Sequence, residues 1–286
     1  MPSKGMKPSH TAFGTMLEEV ECEIVALGDR YGNRGSQAIR ALRAGKHVIA
    51  DKPLCTSLDE LDEIEQISRE KKLCIGLMLD LREHGNLIAL REAIACGRIG
   101  EIQTVNFSAQ HPLRWGRRPE WYFEPGMHGG TLNDIAVHAV DLLPWVTGLE
   151  IAEITSARSW NAKAKEARHF KDCGQFALRL SNGGGVLGDV SYLAPDQCGY
   201  SLDNYWRITA HGTLGYAETS YNRDGVALAD DSSTSPEIVP TASPCPGGYL
   251  QDFFCDLAGD PSPKGLTTQS NLRSTRLALE LEASSR

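Results

Sequence analysis

The chain has 286 residues, of which 41% are hydrophobic and 23% charged, and this globular composition excludes a disordered or collagen-like chain. With a formal net charge of −8, it lacks the broad basic surface expected of a nucleic-acid-binding protein. No apolar run approaches the roughly 18 residues that span a bilayer, and the opening MPSKGMKPSH has no apolar core of a signal peptide. At about 150 residues per domain, we expect two domains in a cytoplasmic protein that binds neither membranes nor nucleic acid.

The first 80 residues alternate short apolar strands with amphipathic helices. Strands are predicted over residues 22–28, 47–50 and 73–79. We expect Ser36 to cap the first helix, which ends at Gly45. The S-x-x-E spacing of Ser57 and Glu60 predicts a capping box at the start of the second helix. Continuous apolar strands separated by helices are typical of a parallel sheet that is covered on both faces.

From about residue 100 the pattern changes to alternating strands. Strands are predicted over residues 102–110, 176–180, 185–193, 205–210 and 216–219. Helices are predicted over residues 131–146 and 271–284, and residues 230–248, rich in Ser, Pro, Thr and Asp, are predicted to form a loop. Residues 81–286 are therefore expected to form an α+β domain with a large, mostly antiparallel sheet, whose uncovered face is buried between subunits.

Two sequence features bear on metal and nucleotide binding. Eight cysteines are scattered without a C-x-x-C pair, so we expect reduced thiols and no metal site. The chain contains one literal G-x-G-x-x-G, formed by Gly183, Gly185 and Gly188. Because Asn182-Gly183 is a hairpin signal and no helix follows, we interpret these glycines as part of a hairpin and not as a phosphate site.

Three stretches carry a recognisable pattern. Residues 44–53 (AGKHVIADKP) match A-G-K-H-V-x-x-E-K-P, and residues 97–102 (GRIGEI) match G-x-I-G-x-I. Residues 129–141 (GGTLNDIAVHAVD) match G-G-x-L-x-D-x-x-x-H-x-x-D. In this order and spacing, the chain resembles the Gfo/Idh/MocA family of NAD(P)-dependent sugar and cyclitol oxidoreductases, and the likeness covers nearly its whole length.

The resemblance implies a two-domain fold. Residues 1–80 would form an incomplete doubly wound, Rossmann-like parallel sheet for NAD or NADP, and residues 81–286 a domain for substrate binding and homo-oligomer formation. The family opens with a strand and a G-x-G-x-x-G turn that holds the pyrophosphate, and about sixty residues of that pattern are missing before residue 22. We therefore expect residues 1–286 alone to bind NAD(H) or NADP(H) weakly or not at all.

Oxidising a secondary alcohol requires hydride transfer to the nicotinamide and removal of the hydroxyl proton. The resemblance implies that Lys52, Asp134 and His138 are catalytic. His138 would act as base or acid, with Asp134 as its orienting or substrate-binding partner at i and i+4. Lys52 follows a predicted strand at the carboxyl edge of the sheet, and would donate a hydrogen bond or relay a proton.

The resemblance also implies binding residues. The cofactor would contact Gly28, Asp29, Arg30, Asn33, Asp51, Lys52 and Pro53; the first four lie in place of the family's T-P-x-x-x-H loop but depart from its pattern. Arg30 and Arg34 are candidates for binding a phosphate or carboxylate, or belong to a solvated basic turn. A sugar or polyol substrate would contact Arg82, Trp115, Arg117, Tyr122, Asp134 and His138. Residues 111–122, dense in Trp, Tyr and Arg, would contact substrate or another subunit.

Three functions are open from the sequence. The first is an oxidoreductase of sugars, cyclitols or related polyols. The second is a non-catalytic family member that acts as an oligomeric scaffold or binding protein, which the missing phosphate turn favours. The third is a metal-dependent isomerase or hydrolase that uses Asp134, His138 and Asp141, although no further His or Glu lies at convincing spacing.

Overall fold

The computed structural model describes residues 8–244 and 248–285, which build two separate β-sheets. One sheet has three strands and the other eight. A small parallel α/β unit followed by a large mixed sheet with covering helices confirms the predicted fold class. None of the described helices is both long enough and apolar enough to cross a bilayer. The seven described cysteines are free thiols, and Cys245 lies outside the described residues.

The small sheet is parallel, with strand order β1-β2-β3. Its elements in chain order are α1 (Phe13–Glu19), β1 (Ile24–Leu27), α2 (Tyr31–Arg43), β2 (His47–Ala50), α3 (Leu58–Lys71) and β3 (Ile75–Leu77). The predicted capping box is confirmed, because Ser57 Oγ accepts a hydrogen bond from Glu60 N at 3.2 Å. Glu60 in return accepts one from Thr56 N.

Helix α2 begins at Tyr31, so the predicted start at Ser36 was wrong. The carboxylate of Asp29 accepts hydrogen bonds from the next backbone N–H and from the side chains of Asn33 and Gln37. These hydrogen bonds stabilise the first turns of the helix, which precede Ser36. The long loop expected between β1 and this helix is therefore only a few residues.

The second unit contains an eight-stranded sheet in the order β11-β10-β9-β8-β4-β7-β6-β5. Its strands are β4 (Ile102–Pro112), β5 (Ile151–Trp160), β6 (Cys173–Leu180), β7 (Gly185–Ala194), β8 (Arg207–Gly212), β9 (Gly215–Thr219), β10 (Val226–Asp230) and β11 (Glu237–Val239). Its helices are α4 (Gly85–Ala95), α5 (Val137–Thr147), α6 (Gly248–Ala258) and α7 (Thr268–Ser284), with a π-helical turn over Leu132–Ala136. Neighbouring strands are antiparallel except β4 and β7, which are parallel.

The hairpin β6–β7 holds the three glycines of the G-x-G-x-x-G stretch, as predicted. Gly183 takes a φ of +90° in the turn after Leu180. Gly188 lies under the ring of Phe176, where a Cβ would come within 1.9 Å of a ring carbon. Both glycines thus serve the geometry of the hairpin.

The two faces of the large sheet differ. The π-helical turn packs against β7 on the face that carries the buried Val186 and Val190. On the opposite face Leu187 is 62% exposed and borders a broad polar and apolar depression of about 880 Å³. Among the described residues, helical elements therefore cover one face of the large sheet and leave the other face exposed.

Helix α7 joins the two units. It packs against α3 and β3 of the small unit and against α5 and β5 of the large one. The free edge of β3 is completed by α7 side chains: Thr268 Oγ1 accepts from Ile75 N, and Asn271 Nδ2 donates to Ile75 O, both at 2.9 Å. This pairing satisfies backbone groups that an edge strand would otherwise leave open.

Candidate active site

Lys52 and Asp134 meet where the two units face each other. Lys52 follows β2 at the carboxyl end of the parallel sheet, and Asp134 lies in the π-helical turn before α5. Lys52 Nζ donates to Asp134 Oδ1 and to the Asp134 backbone oxygen, both at 2.8 Å. The pair thus connects the edge of one sheet with the helix that covers the other.

Asp134 is buried and has several donors around it. Its Oδ2 accepts hydrogen bonds from Tyr122 Oη at 3.2 Å and from Tyr192 Oη, and lies 3.5 Å from His128 Nε2. Burial opposes ionisation, but the ammonium of Lys52 and the ring of His128 hold the pKa of Asp134 well below its usual range. The site therefore contains a fixed carboxylate facing Lys52.

His138 lines a cavity of about 230 Å³ beside this ion pair. The other lining residues are Asp51, Lys52, Met78, Asp80, Leu81, His111, Tyr205, Trp206 and Tyr221. Burial and the charge of Lys52 lower the pKa of His138 well below its usual value, so the imidazole is neutral and a weaker base than a free histidine ring. The Asp134 carboxylate faces Lys52 and the tyrosines, so it does not orient His138 as the i, i+4 spacing suggested.

Two polar residues of the cavity are Asp80, which was missed from the sequence, and His111, the first residue of the predicted contact segment 111–122. Asp80 follows β3, and its place at the carboxyl end of a parallel strand is the signal that pointed to Lys52. His111 lies near the end of β4, and burial together with Lys52 lowers its pKa to about 3. Its Nε2 atom is buried and has no hydrogen-bond partner among the described residues.

The predicted cofactor loop lies at the end of β1. Asp29 and Asn33 are bonded to each other, and the exposed Arg30 lies 3.9 Å from Glu124. No atom lies within 4 Å of the position that a Cβ would take at Gly28, so the end of the strand is open.

Arg34 is not free to bind a phosphate. Its buried guanidinium donates to the backbone oxygens of Asp51, Lys52 and Pro53 at 2.7–3.0 Å, to the Asp51 carboxylate at 3.1 Å and to the backbone oxygen of Asp29 at 2.8 Å. The residue instead holds the turn that carries Lys52.

Arg82 does not reach the cavity, so its expected contact with substrate is corrected. Its buried guanidinium makes two hydrogen bonds to the carboxylate of Asp141, at 2.6 and 3.0 Å, and one to the backbone oxygen of Lys264. Asp141 is thereby committed to a structural ion pair away from His138. Among the described residues, no three His, Cys, Asp or Glu side chains are grouped so that they could hold a metal ion.

Residues 111–122 contribute His111 to the cavity wall and Tyr122 to the surroundings of Asp134. Tyr122 is buried and bonded to Asp134, as described above. Trp115 is 40% exposed and packs on the ring of Phe123, and Arg117 is exposed. Neither Trp115 nor Arg117 lines the cavity.

Comparison with known proteins gives consistent matches over both units. Residues 7–78 match a family model described as the oxidoreductase family, NAD-binding Rossmann fold, and residues 87–218 match the GFO/IDH/MocA C-terminal domain. The chain is 32% identical over 165 residues to a 1,5-anhydro-D-fructose reductase of Ensifer adhaerens, covering 57% of this chain and 49% of the relative. It is 23% identical over 255 residues to a levoglucosan dehydrogenase of Pseudarthrobacter phenanthrenivorans, covering 80% of this chain and 64% of that protein.

A solved oxidoreductase-fold structure from Thermotoga maritima superposes with a TM-score of 0.85 at 22% identity, over 98% of this chain and 83% of the other. That likeness shows the shared fold. The chain spans about half the length of the first curated relative and less than two thirds of the second.

Proposed function

The chain belongs to the Gfo/Idh/MocA oxidoreductase family, and we propose that it transfers hydride between a nicotinamide dinucleotide and a secondary alcohol of a sugar or cyclitol. The observation that carries the proposal is the Lys52–Asp134 ion pair beside the neutral His138 in one cavity between the two units. This combination offers a hydrogen-bond donor and a proton acceptor at the same oxygen, which alcohol oxidation requires.

Each residue has a separate role. Lys52 donates a hydrogen bond to the reacting oxygen, and the ionised Asp134 holds the ammonium in place. His138 takes the hydroxyl proton during oxidation and returns it during reduction. Tyr122 and Tyr192 fix Asp134 from the opposite side, so the carboxylate keeps its orientation when substrate enters.

The dinucleotide, NAD or NADP, supplies the carbon that accepts or gives hydride when bound. Gly28, Asp29, Arg30 and Asn33 with Asp51, Lys52 and Pro53 would hold its nicotinamide side. Support for this fit comes from the open end of β1 at Gly28 and from Met78, which is 40% exposed beyond β3. The carboxyl ends of parallel strands are the usual position for such a ligand.

We also propose a role for each of the two domains and a contact between subunits. Residues 1–80 would serve the cofactor, and residues 81–286 the substrate and the contact between subunits, in the cytoplasm. A second copy of the chain would cover the open sheet face around Leu187, because a wide sheet covered on one face otherwise exposes apolar residues.

The test is dinucleotide-dependent turnover by the purified chain. NAD⁺ and NADP⁺ are each offered with levoglucosan, D-xylose, D-glucose and myo-inositol, and 1,5-anhydro-D-fructose is offered with NADH and NADPH. Replacement of the proton acceptor in His138→Gln, or of the donor in Lys52→Met, should lower kcat by about 10²-fold or more. Lys165→Met removes an exposed lysine and should leave kcat unchanged.

If Lys52→Met kept the kcat of the wild type, the role proposed for Lys52 would be wrong. Calorimetric titration with NADH and NADPH accompanies the assay, and absence of turnover with every pair, in a folded oligomer that binds the dinucleotide, would favour the non-catalytic scaffold.

A further inference from the structure

The proposed substrate cavity has an unbalanced charge. Three of its lining residues are charged, Asp51, Lys52 and Asp80. Lys52 is paired with Asp134 at 2.8 Å, and Asp51 with Arg34 at 3.1 Å. Asp80 has no cationic group within 4 Å among the described residues. Asp80 is therefore the one charged lining residue without a paired partner among the described residues; burial raises its pKa, and the more distant Lys52 opposes that rise.

The remaining walls do not offset this charge. His111 and His138 are neutral, because burial and Lys52 lower the pKa of each ring. His84, which stacks on Tyr221 at 4.1 Å, also has its pKa lowered by burial.

Arg118 is another cation that acts on the histidines, but it does not line the cavity. Its guanidinium donates to the backbone oxygens of Leu113 and Pro112 and lies over the rings of Tyr122 and Tyr192. A ligand entering the cavity therefore meets no unpaired guanidinium or ammonium from the described residues.

Size and wall chemistry restrict the occupant further. A volume of about 230 Å³ lies below the roughly 300–1,000 Å³ of pockets for drug-sized ligands, and suits a single sugar or cyclitol ring. The rings of Tyr205, Trp206 and Tyr221 offer apolar faces on which the C–H face of such a ring can pack. Hydroxyl groups of the same ligand can donate to Asp80.

We infer that Asp80 is a specificity-determining residue, which restricts the site to uncharged sugars or cyclitols and excludes sugar acids and sugar phosphates. The inference rests on the proposed function. A second negative charge inside a partly desolvated cavity costs enough to weaken binding on the order of 10²-fold. Glu83, the other acid of the same turn, is not equivalent, because its Oε1 accepts a hydrogen bond from Tyr249 N.

The experiment compares charged and uncharged forms of one sugar. Steady-state kcat/KM with NAD⁺ and with NADP⁺ is measured for D-glucose, D-glucuronate and D-glucose 6-phosphate, and for myo-inositol as a second neutral probe. Wild type should prefer the neutral probes by about 10²-fold. Asp80→Asn should reduce that preference at least tenfold, mainly through a lower KM for the anions, and Asp231→Asn, an exposed control, should not.

A second measurement needs no variant. Because salt screens a like-charge repulsion, kcat/KM of the wild type for D-glucuronate should rise with ionic strength while that for D-glucose stays constant. Anions used as well as neutral sugars, or a preference unchanged in folded Asp80→Asn, would overturn the inference and leave the oxidoreductase proposal standing. No turnover of any probe, neutral or charged, would instead remove the proposed function and this inference with it.

Discussion

One buried guanidinium fixes the turn that presents Lys52. Arg34 satisfies three successive carbonyls there through Nη1, while Nε and Nη2 bond Asp29 O and the Asp51 carboxylate, and the single nitrogen of a lysine cannot make all five bonds. We expect Arg34→Met to lower the free energy of unfolding by about 3 kcal/mol or more, because it orphans buried acceptors and leaves the charge of Asp51 unpaired. We also expect kcat to fall at least tenfold in Arg34→Met. The stability and kcat of Arg34→Lys should lie between those of the wild type and those of Arg34→Met.

Urea unfolding and steady-state kinetics measure both effects. Arg40→Met, at an exposed position of helix α2, is the matched control and should change neither quantity appreciably. If Arg34→Met weakened stability but left kcat intact, the link from Arg34 to Lys52 would be wrong.

The neutral His111 makes stability depend on pH. In the unfolded chain this ring binds a proton below about pH 6.5, whereas in the fold it does so only near pH 3. The unfolded state thus binds more protons between these values, so stability falls as the pH falls through that window, by about 2 kcal/mol at pH 5 for this group. His111→Gln should flatten the decline.

The free energy of unfolding in urea, measured between about pH 7 and about pH 5, gives the slope directly. Other buried histidines contribute the rest of the pH dependence. The slope for His111→Gln should therefore be smaller than that of the wild type, but not zero. His211→Gln, at an exposed position, serves as the control. An unchanged slope in His111→Gln would show that this ring is protonated in the fold.

At the scale of single elements, the hairpin β6–β7 gives a prediction with a built-in control. A Cβ at Gly188 meets the Phe176 ring, whereas one at Gly185 has no atom within 4 Å. Gly188→Ala should therefore cost about 1–3 kcal/mol by overpacking, and Gly185→Ala should be near neutral. Thermal unfolding of the two variants beside the wild type decides the matter. Equal Tm values for both would mean that the ring moves aside freely.

Single helices and strands also show how much of the fold could be predicted from the sequence. The strands around Val48 and Ile75 were predictable because they are continuous apolar runs between helices with clear end signals. The start of α2 was not, because the bond from Gln37 to Asp29 spans eight residues and has no local signature. Strands β5 and β10 were missed as well, and the predicted loop over residues 230–248 contains strand β11, since the alternation of these strands is weaker and only pairing within the sheet defines them.

Sequence motifs identified Lys52 and Asp134 as site residues, but they did not show that these two side chains contact each other. The meeting of these two residues, 82 positions apart, depends on two units docking. Arg82 illustrates the limit: the resemblance implied a substrate contact, whereas in the structure its guanidinium is paired with the buried Asp141, 59 residues later. Pairings of this range are set by tertiary packing, which spacing along the chain does not encode.

At the scale of the whole molecule, the open sheet face predicts self-association. Leu187 is 62% exposed in its centre, and a carboxylate there would have to be desolvated in any interface. Wild type should sediment as a dimer or larger at micromolar concentration, and Leu187→Asp should shift towards the monomer. Leu214→Asp, 55% exposed in the turn between β8 and β9, should keep the wild-type state. A monomeric wild type would rule out this interface.

Helix α7 has a consequence for synthesis. About 190 residues separate Leu77, where β3 ends, from Thr268, where α7 begins. At roughly 5–20 residues per second, a ribosome needs on the order of 10–40 s to make that stretch. During this interval the nascent small sheet has its β3 edge uncovered, since Thr268 and Asn271 do not yet exist. The small sheet is thus completed only when α7 has been made, and until then its β3 edge is exposed to pairing with other strands.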